Sequence, residues 1–212
     1  MSQHSFTRRR FLQASVALAV AGAPLAPAAE EGFTPLFDGQ SLSGWEGDAL
    51  LWLVEDGMLI GRSPRISYND FLATEKSFSD FILRLQVQLV DNSGNSGIQF
   101  RSERVTGSME MSGYQADIGP EYWGNLYDES RRNTNLAVAD PKVLKKVLKP
   151  TDWNEYEIHA EGPHIVLKVN GGTTVDYTET DSSVPASGRI AVQIHSGPAL
   201  EVRFRDIRIK EL

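Results

Sequence analysis

The stretch Asn92-Ser-Gly-Asn-Ser-Gly-Ile-Gln-Phe-Arg101, followed after a turn by Gly113-Tyr-Gln-Ala-Asp-Ile118 and then Gly119-Pro-Glu-Tyr-Trp-Gly-Asn-Leu-Tyr-Asp-Glu-Ser-Arg-Arg132, decides how this chain is read. Two of its runs, Gly97 to Ser102 and Gly113 to Ile118, alternate apolar and polar residues, and a period of two sends successive side chains to opposite faces of a sheet. Ile98 and Phe100 then share one face, with Gln99 and Arg101 on the other. In the second run Tyr114, Ala116 and Ile118 oppose Gln115 and Asp117. The loop that follows is crowded with Tyr, Trp, carboxylates and arginines. A face carrying Gln, Arg and Asp beside such a loop suits the recognition of a sugar.

The same pattern recurs on either side. Trp52 to Gly61 holds two apolar runs divided by Asp56-Gly57, a hairpin signal. Phe71 to Thr74 reads as a strand, and Phe81 to Val90 as the longest, with Phe81, Leu83, Leu85, Val87 and Leu89 on one face. Trp153 to Ala160, His164 to Asn170, Thr173 to Tyr177, Gly188 to His195 and Val202 to Ile209 complete the set. Trp45, Trp52 and Trp153 lie in or beside apolar runs and are expected in the core. One short helix is expected near residues 140–149: Asp140 can cap it, Pro141 suits its first turn, and Pro150 stops it. Its lysines read as a solvated face. Short strands separated by Gly, Asn, Asp and Pro turns imply an all-β fold, a two-sheet jelly-roll sandwich over residues 30–212.

Thr7-Arg8-Arg9-Arg10-Phe11-Leu12-Gln13 matches the twin-arginine pattern, Ala14 to Ala23 form a mildly apolar run, and Ala26-Pro27-Ala28 offers a cleavage site. Residues 1–28 are therefore expected to be a Tat-type signal peptide, with the remainder periplasmic or secreted. A membrane anchor would need about 20 strongly apolar residues. The net charge is −7; without Arg8, Arg9 and Arg10, 18 basic residues face 28 acidic ones, a balance of −10. Such a surface argues against nucleic acid and against anionic lipid. The absence of cysteine excludes disulfides, thiolate metal sites and a cysteine nucleophile.

Leu36-Phe37-Asp38-Gly39 with Leu42-Ser43-Gly44-Trp45, Val54-Glu55-Asp56-Gly57, Thr74-Glu75-Lys76, Asn95-Ser96-Gly97-Ile98, Gly113-Tyr114, Trp153-Asn154, Asn170-Gly171 and the closing Phe204-Arg205-Asp206-Ile207 resemble the 3-keto-disaccharide hydrolase domain family. The resemblance covers essentially everything after Phe33 and implies a concanavalin A-like β-sandwich. Many members carry a glutamate directly after the Gly-Tyr and a glutamine two residues on, where this chain has Gln115 and Asp117. Many also carry a Gln-Asp-His-Gly-like run, which here reads Gln193-Ile194-His195-Ser196-Gly197. No catalytic acid is therefore carried over to Gln115.

The chemistry implied by the resemblance starts from a ketone at C3 of a sugar. The ketone acidifies the C2 proton, so a base can remove it, an enolate forms, and the C1 substituent leaves, with water adding afterwards if the net result is hydrolysis. A base, a partner for the enolate oxygen and an acid are needed. His195 is the first candidate for base or metal ligand, and Asp117 could serve as base or ligand. Arg101 could hold the enolate oxygen or pair with Asp117. Gln99, Gln115, Gln193 and Tyr114 are candidate sugar contacts; of Glu121, Asp128, Glu129, Arg131 and Arg132 on the loop, one or two are expected to touch ligand and the rest to form an ion-pair network. Tyr122, Trp123 and Tyr127 are candidate stacking platforms, and Lys76 and Asn95 match family positions. No cofactor is required; a divalent metal held by Asp117, Glu121, Asp128 and His195 is possible. The expected partner is an oxidised, 3-keto sugar or another carbohydrate. A retaining glucanase would instead need two carboxylates about 5 Å apart, and the nearest run, Glu155 to Glu161, reads as an ordinary exposed strand face. The alternative from another class is a non-catalytic carbohydrate-binding module using the same face, because lectins and hydrolases share this sandwich.

Overall fold

A computed structural model describes residues 30–212, so the proposed signal peptide lies outside the described residues. In chain order the first strands are β1 (Thr34–Pro35), β2 (Trp45–Glu46), β3 (Trp52–Glu55), β4 (Met58–Ser63) and β5 (Asp70–Phe78). Next come β6 (Phe81–Leu89), β7 (Ser96–Arg104), β8 (Met111–Ile118), β9 (Leu126–Glu129) and β10 (Thr134–Ala137). After the helix α1 (Pro141–Val147) follow β11 (Asn154–Glu161), β12 (His164–Val169), β13 (Gly172–Thr178), β14 (Gly188–Ile194) and β15 (Leu200–Glu211). They form two antiparallel sheets. One runs β13-β12-β11-β6-β15-β4-β3 with β1 added against β15; the other runs β10-β9-β8-β7-β14-β5-β2. This is the expected jelly-roll sandwich. As expected, Asp140 caps α1, its side chain accepting from Lys142 N at 2.8 Å.

The core is the space between the sheets, filled by alternate residues of each strand. Phe81, Leu83, Leu85, Val87 and Leu89 all point into it, opposite Ile98, Phe100, Tyr114, Ala116 and Ile118. Burying each of these large side chains contributes about 1.5–3 kcal/mol. In β15 the phase changes: Val202 and Phe204 face inward, then Ile207 and Ile209. A bulge between Arg205 and Arg208, with Asp206 at φ +52°, supplies the extra residue that makes this possible.

Two of the four tryptophans behave as expected. Trp45 Nε1 donates to Leu36 O and Trp52 Nε1 to Asp70 Oδ1, both within the core. Trp153 departs from expectation, being half-buried on the outer face with the Arg205 guanidinium 4.0 Å over its ring. Trp123, expected at a ligand, is instead 2 % exposed and donates its Nε1 to Asn92 Oδ1 at 3.0 Å. Its flat apolar body closes the core beneath the β8–β9 connection.

The loop expected after β8 also differs. Tyr122 and Trp123 donate their backbone N–H to Gly119 O, and the chain then returns as β9, pairing Gln115 with Tyr127 and Gly113 with Glu129. The segment read as a loop is thus a turn and a strand. This return decides where the functional groups lie.

Candidate active site

The outer face of the seven-stranded sheet changes character along its width. Toward β5 it is apolar, with Phe71, Ala73, Met111 and Ala191 forming a small buried cluster. The β7–β8 hairpin bends over that side, held by Arg104, whose guanidinium donates to the carbonyls of Phe71, Met109 and Glu46. Toward β8 and β9 the same face is polar and open. There Asn95, Gln115, Asp117, Tyr122, Tyr127, Glu129, Asn135 and His195 line a cleft of about 220 Å³, a volume suited to a single sugar ring.

His195 directly follows β14, and its backbone N–H donates to Asn95 O at 3.3 Å. Its Nδ1 lies 2.6 Å from Ser196 O, which can only accept, so Nδ1 carries a hydrogen and in the neutral ring Nε2 holds the lone pair. The Ser196 peptide is itself fixed: its N–H donates to Asn69 Oδ1 at 2.8 Å, and Ile66 and Gly197 exchange backbone hydrogen bonds. A histidine held in this way presents a basic nitrogen without needing a carboxylate behind it.

Asp117 is 5 % exposed and accepts from Gln115 Nε2 at 2.8 Å. Burial pushes its carboxyl up to about 7, the Gln115 bond pulling down against it and the Glu129 charge adding to the rise. Glu129 is likewise pushed up to about 7, first by burial and then by the Glu110 charge. Gln193 opposes that rise, although both of its side-chain polar atoms are buried without a hydrogen bond of normal geometry. Tyr127 lies between the two acids on the same face, and burial and the charges of Glu129, Asp117 and Asp128 raise its phenol too. The cleft therefore holds two carboxyls able to give or take a proton near neutrality, one imidazole with a free lone pair, and no lysine or arginine among its lining residues.

Three polar atoms beside this cleft, Asn95 Oδ1, Gln193 Oε1 and Gln193 Nε2, are buried and have no partner. Leaving such a group unpaired costs about 1–3 kcal/mol. Of the two residues only Asn95 lines the cleft; Gln193 lies beneath it.

The sequence matches the model of the 3-keto-alpha-glucoside-1,2-lyase-like domain over residues 32–210. The chain belongs to that family. Membership places it among carbohydrate-active domains, hydrolase-like or carbohydrate-binding. No curated protein matches the sequence. Among solved structures, a candidate glycosyl hydrolase from Parabacteroides distasonis is similar at 19 % identity, with 86 % of this chain and 94 % of that one covered and a TM-score of 0.66. A carbohydrate binding module from Bacillus subtilis is similar at 17 % identity, covering 79 % of this chain and 96 % of that one, with a TM-score of 0.60. A Bacillus licheniformis beta-glucanase is similar at 10 % identity, over 88 % and 95 % of the two chains, with a TM-score of 0.54. At these identities the likenesses establish the sandwich fold.

Within this lyase-like domain the residues expected at the site divide into two groups. His195, Asp117, Gln115, Asn95 and Tyr127 meet in the cleft, and Gln99 and Gln193 are buried on the same face beside it. The others are elsewhere. Arg101 is corrected: it takes φ +47° where the β7–β8 register shifts, between Phe100 and Glu103, and its guanidinium turns to Ser79 O, Gly162 O and Asp80. It is neither beside an enolate position nor paired with Asp117.

Tyr114 is on the core face, stacked on Phe100 at 5.4 Å, with its hydroxyl donating to Glu179 Oε2 at 2.8 Å. Asp128, opposite in phase to Tyr127 and Glu129, is buried and paired with Arg131 and Arg132. Lys76 pairs with Glu211 at 2.6 Å on the exposed surface, and Glu121 is exposed outside the cleft. The metal set is corrected too: Asp117 and His195 share the cleft but Glu121 and Asp128 do not, and among the described residues no three His, Asp or Glu side chains converge as ligands.

Tyr122, expected as a stacking platform, and Glu129, expected among the loop acids, both line the cleft; Asn135 was not among the expected site residues. Tyr122, 40 % exposed, takes the platform position expected of Trp123.

Proposed function

We propose that this domain, exported through the twin-arginine route, cleaves 3-keto-glycosides by elimination or net hydrolysis. The observation that carries the reading is the company in one cleft of His195, with Nε2 free, and two carboxyls that titrate near 7. His195 Nε2 removes the C2 proton, and the C–H electron pair moves onto the C3 carbonyl oxygen. The enolate then re-forms the ketone as C1=C2 closes and the C1–O bond breaks. The departing oxygen takes its proton from Asp117 or Glu129, each partly protonated near neutral pH. In hydrolysis water adds across C1=C2, its hydroxyl to C1 and a proton to C2, with the carboxylate as base and the imidazolium returning its proton. Asn95 and Asn135, which line the cleft, supply amides to the sugar, and Tyr122 a face for the ring.

A second reading is supported by one feature: no guanidinium or ammonium lines the cleft to hold an enolate oxygen. On that reading the domain is a carbohydrate-binding module using the same amides and the Tyr122 ring. Incubating the purified chain with 4-nitrophenyl 3-keto-glucoside and with its unoxidised parent separates the two. Release from the keto compound alone, lost in His195→Ala and reduced about 10²-fold or more in Asp117→Asn, is the expected result. Equal release from both compounds marks an ordinary glycosidase and overturns the elimination chemistry. No release, with saturable sugar binding weakened by Tyr122→Ala, leaves the binding module.

A further inference from the structure

Behind Asp117 runs a line of buried polar side chains that the proposed chemistry does not use. Ser102 Oγ donates to Gln99 Oε1 at 2.7 Å, Gln99 Nε2 donates to Gln115 Oε1 at 3.0 Å, and Gln115 Nε2 donates to Asp117 Oδ1 at 2.8 Å. Gln99 and Ser102 are 0 % exposed and Gln115 is 2 %. The line exists because residue 97 is a glycine: a Cβ there would stand 2.5 Å from Gln115 Cδ and drive that side chain off its course.

Each link runs head to tail, and the direction is set from the carboxylate end; at the other end the Ser102 hydroxyl also has Phe100 O within reach at 2.9 Å. An ionised carboxylate can only accept, so Gln115 must turn its NH₂ toward Asp117 and its oxygen toward Gln99. Gln99 must then turn its NH₂ to Gln115 and its own oxygen away, where Ser102 meets it. Without Gln99 the Gln115 amide could rotate, and a carbonyl oxygen would face the carboxylate.

We propose that Gln99 and Ser102 are positioning residues for Asp117: acting through Gln115, they commit Oδ1 as a hydrogen-bond acceptor and leave Oδ2 as the oxygen that exchanges a proton with ligand. The inference rests on the reading of Asp117 as a proton donor and adds how that proton is placed. The titratable groups that face Asp117 are Glu129 and Tyr127 on β9, His195 across the cleft, and Tyr156, whose hydroxyl lies 3.3 Å from Asp117 O. None of them is hydrogen-bonded to Gln99 or Ser102. A change made at those two positions therefore reaches Asp117 along the line.

The test is a carboxyl ¹³C titration of the chain labelled at aspartate Cγ, with the Asp117 signal identified by its loss in Asp117→Asn. Gln99→Met and Ser102→Ala are expected to raise the Asp117 midpoint, because the bond favouring the ionised form weakens; a rise of about half a unit to one unit is expected for the former and less for the latter. Gln99→Glu should raise it further. Its carboxylate accepts from Gln115 and turns the Gln115 oxygen toward Asp117, which must then hold its proton to donate.

Repeating Gln99→Glu in a Gln115→Met background separates the line from the mere addition of charge. A rise that largely disappears in that background supports the proposal. The same rise in both backgrounds, or no rise in Gln99→Met, overturns it. Activity on the 3-keto probe is read separately, and the alkaline limb of kcat/KM, where a proton donor is lost, should follow the midpoint. Shifted midpoints without turnover would uphold the line and remove the lyase reading.

Discussion

The outer faces of the two sheets both carry carboxylates at alternating strand positions, and the two sets titrate in opposite directions. On the eight-stranded sheet Glu157 bridges Lys168 at 2.7 Å and Arg84 at 2.6 Å, and Glu201 lies between Arg62 at 2.6 Å and Arg203 at 2.5 Å. Both are held below the usual carboxylate range. On the seven-stranded sheet Asp117 and Glu129 are lifted to about 7. Burial is the largest influence on Glu157 just as it is on Glu129, and it acts upward on both. What separates them is the supply of cations. The same contrast holds between neighbours in sequence: Asp128 faces inward to Arg131 and Arg132, while Glu129 faces outward to a cleft lined by neither lysine nor arginine. One face pairs its acids with cations; the other leaves them to burial.

The sharpest way to break this contrast is to remove the charge from Asp117. Its folded value of about 7 lies above its ordinary value of 3.8, so the native state binds the extra proton. The resulting cost is absent below about pH 4, grows as the pH rises between the two values, and is fully present above about 7. Asp117→Asn keeps an acceptor for Gln115 and removes that cost. It is expected to stabilise the chain at pH 8 by about 2 kcal/mol more than at pH 5, measured by urea unfolding at both pH values. An equal effect at the two pH values would refute the assignment.

A smaller effect follows from giving the cleft the cation it lacks. Asn135 is exposed on β10 and lines the rim. Asn135→Lys should draw the carboxyls of Asp117 and Glu129 down, by about one unit at most given solvent screening. The alkaline limb of activity should move down with them, because the proton donor is then lost at lower pH. Unmoved carboxyl titrations would mean that the missing cation is not what keeps these acids high.

How much of this could be read from the sequence depended on how local the cause was. The strict alternation of Phe81 to Leu89 fixed β6 and its inward face without reference to the rest of the chain. The same reasoning placed Gln115, Asp117 and His195 on one face, and they share a cleft. It failed at Arg101, because alternation assumes an unbroken ladder and a left-handed residue at a bulge breaks it. It also missed the strand that carries Glu129, a residue read as part of a loop. Leu126 to Glu129 is only four residues long and pairs with β8 rather than standing on its own propensity. The signal available was the Gly124-Asn125 turn followed by alternation, which puts Tyr127 and Glu129 on one face and Asp128 on the other. The left-out strand carried the second acid. Trp123 shows the converse: an aromatic beside a polar loop looks the same in sequence whether it faces ligand or core.

The smallest expected effect sharpens the comparison by its sign. Glu157→Gln leaves Arg84 with Glu30 as its remaining acidic partner and Lys168 without its carboxylate, across a face that water partly screens. Pairs of this kind are worth about 0–1 kcal/mol, so the loss at pH 7 should be at most about 1 kcal/mol, and it should shrink in high salt. Because the folded carboxyl lies below its ordinary value of 4.5, its contribution is present above that value and is lost as the pH falls through the folded one. The destabilisation by Glu157→Gln should therefore fade on acidification, measured by urea unfolding at pH 7 and pH 3. Asp117→Asn should show the reverse, its benefit growing as the pH rises. Two acid-to-amide changes, one on each sheet, would thus have opposite signs and opposite pH dependence. If both destabilised at neutral pH, the cleft acids would be ordinary members of the ion-pair surface and the distinction between the faces would fall.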